Sequence, residues 1–264
     1  MSKLYCIPTL EQIKEYVGFS EKYNAAFEYN EFFIPNVLED ETAVKRIMKQ
    51  YMDLGRDLRE DTLHGVFLDI CVNSTDPMIF KASDFRVRQS MDIARKMGLK
   101  AVVFHTNYIV NFRLQTYVDT WLEKNEEYWR QILREYPEQK IYMENMFDDS
   151  PAMLKELAGR MQDEKRFAIC LDIAHGLISG APLEQWLTGL RDRRIAHLLI
   201  NDNDGITDLH QPVGSGKMDW KLFSDWCESL EKKPSILIEV RGDADLVTSV
   251  ENMEKQNIFP FSAK

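Results

Sequence analysis

Short apolar runs alternate with longer amphipathic stretches along the whole chain. A run of four to eight apolar residues is typical of a buried strand, and apolar residues spaced three and four apart are typical of a helix. Several short runs are too apolar for a strand with one face in water, as expected for parallel strands covered by helices. The pattern predicts eight strands, at residues 4–7, 25–29, around 63–70, 101–105, 140–144, 167–172, 195–201 and 235–240.

Amphipathic stretches separate and follow these runs. They predict helices at residues 10–16, 41–54, 85–97, 117–134, 152–161, 183–190, 220–230 and 244–253. Eight β–α alternations without a linker or a break in composition indicate one closed (β/α)₈ barrel, an α/β fold that forms a single domain over residues 1–264. The rival, a doubly wound open sheet, lacks its glycine-rich phosphate fingerprint after the first strand.

Charge and composition narrow the classes of partner. The 264 residues contain 33 Lys and Arg against 43 Asp and Glu, a net charge of −10, which disfavours nucleic acid as a partner. No window approaches the roughly 18 apolar residues that span a bilayer, so no membrane segment is predicted. Four scattered cysteines form no CxxC pair, which predicts free thiols and a cytoplasmic protein. The sequence leaves homo-oligomerisation open.

Polar residues follow the ends of at least five predicted strands. His105, Glu144, Asp172, Asn201 and Glu239 each lie at or near the end of an apolar run. Any one of them is more often a helix cap or a turn residue. Active sites of such barrels lie at the carboxyl ends of the strands, so together these residues converge on one rim.

A ring of carboxylates and imidazoles at one rim is costly unless a cation neutralises it. His175, Asp208 and His210 add to this ring from the loops. The mixed nitrogen and oxygen donors suit Zn²⁺ or Mn²⁺ best, with Co²⁺ and Mg²⁺ as further options. We therefore expect a divalent metal ion as the cofactor.

Several motifs resemble those of the xylose isomerase-like barrels, which include sugar-phosphate isomerases and epimerases and the endonuclease IV enzymes. The most specific stretch is Asp202-Asn-Asp-Gly-Ile-Thr-Asp-Leu-His210-Gln-Pro-Val-Gly-Ser-Gly-Lys-Met-Asp-Trp220. Shorter ones are His64-Gly-Val-Phe-Leu-Asp, Val103-Phe-His105, Tyr142-Met-Glu-Asn145 and Cys170-Leu-Asp-Ile-Ala-His175. The resemblance runs from about the second strand to the eighth.

The resemblance implies a set of metal ligands. A central ion would be held by Glu144, Asp172, Asn201 and Glu239. In trinuclear members a second ion is held at the positions of His64, His105 and Glu144, and a third at those of His175, Asp208 and His210. The family histidine at position 201 is Asn201 here, and an amide oxygen binds zinc more weakly than imidazole does. His197 lies too far back on its strand to replace it, so we expect a structural histidine near the barrel floor.

The function implied is a metal-dependent isomerase or epimerase of a small sugar or sugar phosphate. Glu144 and Glu239 would be the catalytic acid and base, and His175, Arg241 and His105 would contact the substrate. An aromatic wall for the sugar is expected from Phe104, Tyr108, Phe147 or Trp220, although each is more often a core residue.

Two other functions stay open. An endonuclease IV-like zinc phosphodiesterase acting on abasic DNA is supported by four histidines at ligand positions and disfavoured by Asn201 and the net charge. A non-catalytic sugar-binding barrel would have lost its metal at Asn201. Gly214-Ser215-Gly216 could cradle a phosphate, but an ordinary tight turn is the favoured interpretation.

Overall fold

Eight parallel strands form one closed barrel in sequential order in the computed structural model, which describes residues 2–66, 68–112 and 114–262. The first and last strands close the ring, because Tyr5 lies opposite Leu237. The predicted (β/α)₈ fold is confirmed. The strands are β1 (Leu4–Cys6), β2 (Ala26–Tyr29), β3 (Thr62–His64), β4 (Ala101–His105), β5 (Lys140–Glu144), β6 (Phe167–Asp172), β7 (Ile195–Ile200) and β8 (Ser235–Ile238).

Helices cover the outside of the barrel, with a 3-10 turn at Glu31–Phe33 after β2. The described α-helices are α1 (Ile13–Tyr23), α2 (Pro35–Glu39), α3 (Glu41–Met52), α4 (Pro77–Met97), α5 (Gln115–Glu135), α6 (Ala152–Arg160), α7 (Ile173–Ile178), α8 (Leu183–Gly189), α9 (Trp220–Ser229) and α10 (Gly242–Gln256). Gly98 ends α4 at a positive φ of 71°, where glycine carries no steric cost.

Alternate strand positions divide the buried side chains into two clusters. The outer cluster fills the space between sheet and helices and contains the fully buried Trp121, Trp129 and Trp186. The inner cluster includes Tyr5 and Leu237 inside the ring. Because side chains alternate along a strand, residues two positions further along point into the barrel as well.

The third strand is shorter than predicted. It ends at His64, and Leu68 lies in the following loop with 53% of its surface exposed. Gly65 allows the chain to turn there, since a β-carbon would come within 2.5 Å of the Phe104 ring. The predicted strand also includes Phe67, which lies outside the described residues.

The bounds of two helices and the presence of two short helices also differ from prediction. Helix α1 begins at Ile13 and runs on to Tyr23, beyond the predicted end. Helix α4 begins at Pro77 because Asp76 accepts hydrogen bonds from the next amides. The first turn of α4 exposes Met78, so its apolar spacing gives no signal. The short helices α2 and α7 were not predicted.

No helix in the described ranges is long and apolar enough to cross a membrane. All four cysteines are free thiols, as predicted, and Cys71 is the one that is not fully buried.

Candidate metal centre

The predicted site residues share one geometric origin. Val103, Tyr142, Cys170, Leu199 and Leu237 belong to the inner cluster. Two positions beyond each of them the chain reaches the carboxyl rim. The inward-facing residues at those rim positions are His105, Glu144, Asp172, Asn201 and Glu239.

Glu144 lies among three imidazoles. Its Oε1 atom is 3.2 Å from Nε2 of His105 and 3.3 Å from Nδ1 of His175. Its Oε2 atom is 3.6 Å from Nε2 of His64. All four side chains are buried, although they come from three strand ends and one helix. Strand pairing accounts for part of this, because His105 and Glu144 are directly opposed residues of β4 and β5.

A second run of contacts continues from His175 to the other side of the rim. Its Nδ1 atom is 3.5 Å from Oδ2 of Asp172, and its Nε2 atom is 3.5 Å from Oδ2 of Asp208. The same Asp208 oxygen is 3.1 Å from Nε2 of His210. His210 then reaches Glu239, with Nδ1 3.7 Å from Oε2. The contacts therefore connect all the predicted histidine and carboxylate ligands.

Asn201 also lies at this rim and is fully buried. Its amide nitrogen is 3.5 Å from Nδ1 of His210. Its Oδ1 atom accepts no hydrogen bond from the described residues, so the oxygen is available as a ligand.

Several buried oxygens at the rim lack a hydrogen-bond partner among the described residues. Buried polar atoms are normally paired, and an unpaired carboxylate oxygen is costly. A divalent cation would satisfy such oxygens, so the donor set fits a metal ion. Two groups bring three donor atoms within 4.8 Å of one another: His64 with His105 and Glu144, and Glu144 with Asp172 and His175. The oxygens are Glu144 Oε2, Asp172 Oδ2, Asn201 Oδ1, Asp208 Oδ1 and Glu239 Oε2.

The electrostatics of the two catalytic candidates differ. Burial raises the pKa of Glu239 well above its usual range. Burial acts in the same direction on Glu144, but its imidazole neighbours, His105 first, hold the pKa of this carboxyl well below its usual range. Burial lowers the pKa of His105, while Glu144 overcomes burial and raises the pKa of His64 to about 9. The neighbouring imidazoles therefore outweigh burial at Glu144, whereas burial prevails at Glu239.

Asn145 orients two of the candidate ligands and was not assigned a role from the sequence. Its side-chain amide accepts a hydrogen bond from the backbone N–H of Asp172 and donates one to the Asp172 carbonyl, both at 2.9 Å. Its own carbonyl lies 2.9 Å from Nδ1 of His175. When Nδ1 donates its proton to this carbonyl, the neutral ring keeps a lone pair on Nε2, the nitrogen that faces Asp208. Nε2 is then the atom that can bind a metal ion. The only sequence signal was its position after Glu144 in the Tyr-Met-Glu-Asn motif.

A cavity of about 340 Å³ opens over the rim. Arg241 lines it and is exposed, as expected for a residue two positions beyond Glu239. The aromatic residue that lines the cavity is Phe33, which was not among the predicted ones. Its ring centroid lies 5.7 Å from that of His64. The cavity is lined by Ile7, Asn30, Phe33, His64, His105, Glu144, Met146, His175, Asp208, His210, Glu239, Val240 and Arg241.

The four predicted aromatic residues lie elsewhere. Phe104 packs on Trp129, and Tyr108 stacks on Tyr117. Phe147 is 54% exposed, and Trp220 points its indole N–H at Asp202. Phe33 was missed because it lies in a 3-10 turn whose spacing carries no strand or helix pattern.

His197 is inside the barrel below the rim, as predicted. It is fully buried on β7, and its ring centroid is 4.9 Å from that of Tyr5. Its Nδ1 atom lies 2.7 Å from Oγ of Ser235, and its Nε2 atom lies 3.4 Å from Oε2 of Glu28. These neighbours give it a structural role.

Residues 22–256 match the family model for the xylose isomerase-like TIM barrel. The chain belongs to this family. Among sequence relatives, the uncharacterized protein MJ1614 of Methanocaldococcus jannaschii is 27% identical over 203 residues, which is 74% of this chain and 76% of that protein. The name of this relative gives no activity.

Solved structures of several activities share the fold. A D-tagatose 3-epimerase-like protein superposes with a TM-score of 0.76 and 23% identity, covering 96% of both chains. A Thermus thermophilus protein, TTHB071, soaked with ZnCl₂, has a TM-score of 0.73 and 19% identity over 96% of this chain and 98% of its own. Endonuclease IV of the same organism has a TM-score of 0.59 and 17% identity, covering 96% and 99%. At these identities the likeness concerns the fold.

Proposed function

We propose that this protein is a metal-dependent isomerase or epimerase of a small sugar or sugar phosphate. The supporting observation is that buried oxygens of Glu144, Asp172 and Glu239 lack hydrogen-bond partners among the described residues, at one rim under one cavity. A cavity of about 340 Å³ is at the small end of the usual range for small-molecule sites, which suits a single sugar.

The central ion would be held by Glu144, Asp172, Asn201 and Glu239. Further ions would be held by the remaining donors, His64, His105, His175, Asp208 and His210. Zn²⁺ and Mn²⁺ suit this set best, and Mg²⁺ and Co²⁺ remain options because Asn201 supplies an amide oxygen. When bound, a divalent ion polarises a substrate carbonyl and lowers the pKa of the adjacent C–H bond.

Glu144 and Glu239 are the proposed acid and base. Glu144 is the last residue of β5, and Glu239 directly follows β8. Two strands, β6 and β7, lie between β5 and β8 along the shorter way round the ring. The two carboxylates therefore enter the cavity from different sides. In an epimerase, one removes the proton next to the carbonyl from one face, and the other delivers a proton to the opposite face.

The remaining proposed roles concern substrate binding. His175 and His105 line the cavity beside Glu144, where each can contact a substrate oxygen. Arg241 is the permanent cation among the described lining residues, and it would orient a hydroxyl or a phosphate. The sugar-epimerase-like structure with the same fold supports the same choice of substrate class.

The test is proton exchange in D₂O with protein loaded with Zn²⁺ or Mn²⁺. Ketopentoses and ketohexoses, with and without a terminal phosphate, would be followed by proton NMR. We expect loss of the signal from the carbon next to the carbonyl for at least one of them. Absence of exchange for the whole panel with a metal-loaded, folded protein would contradict the proposal.

A second candidate is a zinc phosphodiesterase of the endonuclease IV type. Four of the five histidines lie in one run of contacts with the carboxylates, as a multinuclear zinc site requires. The net charge of −10 and the acidic lining oppose binding of a duplex. Incision of an abasic duplex by the zinc-loaded protein would favour this candidate. Absence of bound metal after supplementation would favour a non-catalytic sugar-binding barrel.

A further inference from the structure

The loop between β7 and α9 brings Asp208 and His210 to the cavity, and Asp202 is its second residue. The backbone of Asp202 forms an antiparallel bridge with Gln211 through two N–H···O bonds of 2.9 and 2.8 Å. The bridge closes the intervening residues into a ring. His210 precedes the bridge with a φ of 51°, a left-handed conformation that is uncommon for a residue with a side chain.

The Asp202 carboxylate is fully buried and accepts four hydrogen bonds from this loop and its end. Its Oδ1 atom accepts from the N–H of Asn203 at 3.1 Å and of Met218 at 3.0 Å. Its Oδ2 atom accepts from the N–H of Gly214 at 3.1 Å and from the indole of Trp220 at 2.8 Å. A carboxylate has about four acceptor positions, so all of them are used.

This saturation separates Asp202 from the candidate ligands. Glu144 and Asp208 each keep a buried oxygen without a hydrogen-bond partner in the described structure, and Asp202 does not. A metal ion would have to displace a donor from Asp202. Asp202 therefore binds the loop through hydrogen bonds and is not one of the candidate metal ligands.

The glycines of the loop are arranged around the same carboxylate. A β-carbon on Gly216 would come within 2.3 Å of Oδ1 of Asp202. The N–H of Gly214 already donates to Asp202, so it does not point at a phosphate. The tight-turn interpretation of Gly214-Ser215-Gly216 is confirmed.

The outer side of the loop is fastened independently to α10. The N–H of Val213 donates to Oγ of Ser249 at 3.1 Å, and the amide of Asn252 donates to the Val213 carbonyl at 2.8 Å. Gln256 donates to the Gly214 carbonyl at 3.1 Å. Changing the Asp202 side chain therefore keeps the attachment to α10 and the backbone bridge, and alters only the hydrogen bonds that its carboxylate accepts.

We propose that Asp202 is a positioning residue that holds Asp208 and His210 in place beside His175. The proposal rests on the proposed function in so far as it concerns metal binding. Residues that orient ligands from behind typically change metal affinity by about 10- to 100-fold when replaced. The Asp202 carboxylate has this position relative to the loop, because it accepts from the N–H groups of Asn203 and Gly214, which lie on either side of the segment that carries Asp208 and His210.

The test compares Asp202→Asn with Asp204→Asn in the full chain. Asp204 accepts hydrogen bonds from the N–H groups of Ile206 and Thr207 in the same loop, and it forms no hydrogen bond with Asp202 within the described residues. The imidazole signals are followed in long-range proton–nitrogen NMR spectra without metal. We expect Asp202→Asn to shift His210 and His175 and leave His64 in place, and Asp204→Asn to shift none of them.

Zn²⁺ titration calorimetry supplies the second measurement. We expect Asp202→Asn to weaken one class of Zn²⁺ sites by about 10- to 100-fold and Asp204→Asn to leave every class within about twofold of wild type. Unchanged imidazole signals and unchanged Zn²⁺ affinity in a folded Asp202→Asn protein would overturn the inference, as would a uniform shift of all imidazoles.

A milder variant covers failure of Asp202→Asn to fold. Trp220→Phe removes one donor to Asp202 and keeps a ring in the apolar contact with Phe223. Selective shifts of His210 and His175 in that variant support the role of Asp202, and their absence overturns it. Wild-type protein that binds no Zn²⁺ contradicts the proposed function, while the imidazole signals still decide the role of Asp202.

Discussion

The two ends of the barrel both bury carboxylates but satisfy them differently. At the amino end, Asp61 accepts hydrogen bonds from the N–H of Phe27 at 2.8 Å, the hydroxyl of Tyr29 at 2.7 Å and the guanidinium of Arg56 at 2.9 Å. At the carboxyl rim, Glu144 faces imidazoles, and one of its oxygens lacks a hydrogen-bond partner in the described structure. At the amino end the Asp61 carboxylate is paired with the Arg56 guanidinium, whereas at the carboxyl rim a Glu144 oxygen remains available to bind a ligand.

The difference between these two carboxylates lies in their partners and not in their burial. Burial also does not distinguish Asp61 from Asp172, because both are fully buried. Asp61 and Asp172 differ in their donors, because both Asp61 oxygens accept hydrogen bonds while Asp172 Oδ2 lacks a partner in the described structure. An unsatisfied buried oxygen costs stability unless something binds it. Barrels of this kind generally keep stability at the amino face and chemistry at the carboxyl face.

Replacing Glu239 gives the largest expected effect and tests the functional end. Glu239→Gln keeps the shape of the side chain but removes a group that can take up a proton. We expect proton exchange of the substrate to fall by about 10²- to 10⁴-fold, measured by NMR in D₂O. The control is Glu231→Gln, at an exposed position, which should keep full exchange. Exchange at the wild-type rate in Glu239→Gln would refute the acid–base role.

Replacing Arg56 tests the structural end. Its side chain is 14% exposed beside Asp61 at 1%, and its guanidinium lies 3.6 Å from the Phe27 ring centroid. Arg56→Met leaves a buried anion without its cation, so we expect the free energy of unfolding to fall by about 3–5 kcal/mol. Urea denaturation measures it.

The matched control is Arg59→Met. Arg59 pairs with Asp57, and both side chains are largely exposed. Its loss should change the free energy of unfolding by less than about 1 kcal/mol. Zn²⁺ affinity should stay the same in both variants. Equal stability of the two would show that the contrast between the ends is wrong.

Asp148 tests a carboxylate near the rim but outside the run of ligands. It accepts hydrogen bonds from the hydroxyl of Thr106 and the N–H of Met146, and burial raises its pKa from 3.8 to about 6. The unfolded chain ionises first as pH rises, so this group's contribution to stability is present below pH 3.8 and is lost as pH rises through about 6.

Asp148→Asn removes that dependence. Relative to wild type, the variant should gain up to about 3 kcal/mol in the free energy of unfolding between pH 4 and pH 7, measured by urea denaturation across this range. Asp69→Asn, at an exposed position, serves as the control and should show no such gain. A constant difference between Asp148→Asn and wild type at all pH values would contradict the raised pKa.

Placing an imidazole at position 201 has the smallest expected effect. Asn201→His places a stronger zinc donor where a buried amide oxygen lacks a hydrogen-bond partner in the described structure. We expect Zn²⁺ affinity to rise by about tenfold, or about 1.4 kcal/mol, measured by calorimetry. An unchanged affinity in a folded variant would mean that residue 201 does not bind the ion.

The sequence determined the fold class and most of the candidate site. Apolar periodicity reports which face of an element is buried, and parallel strands all end at one edge, so polar residues at those ends are placed together by topology alone. This reasoning reached His105, Glu144, Asp172, Asn201 and Glu239. The same periodicity failed for the start of α4, because its first turns face outward.

Only the tertiary structure decided the parts that depend on contacts between distant loops. The positions of Phe33 and Asn145 and the four hydrogen bonds of Asp202 follow from neighbours that no local pattern encodes. The state of each buried carboxylate belongs to the same class: Asp61 is satisfied by donors from β2 and from Arg56, while Glu144 meets histidines from β3, β4 and α7. Local sequence governs burial, but hydrogen-bond saturation depends on which distant groups the closed barrel brings within reach.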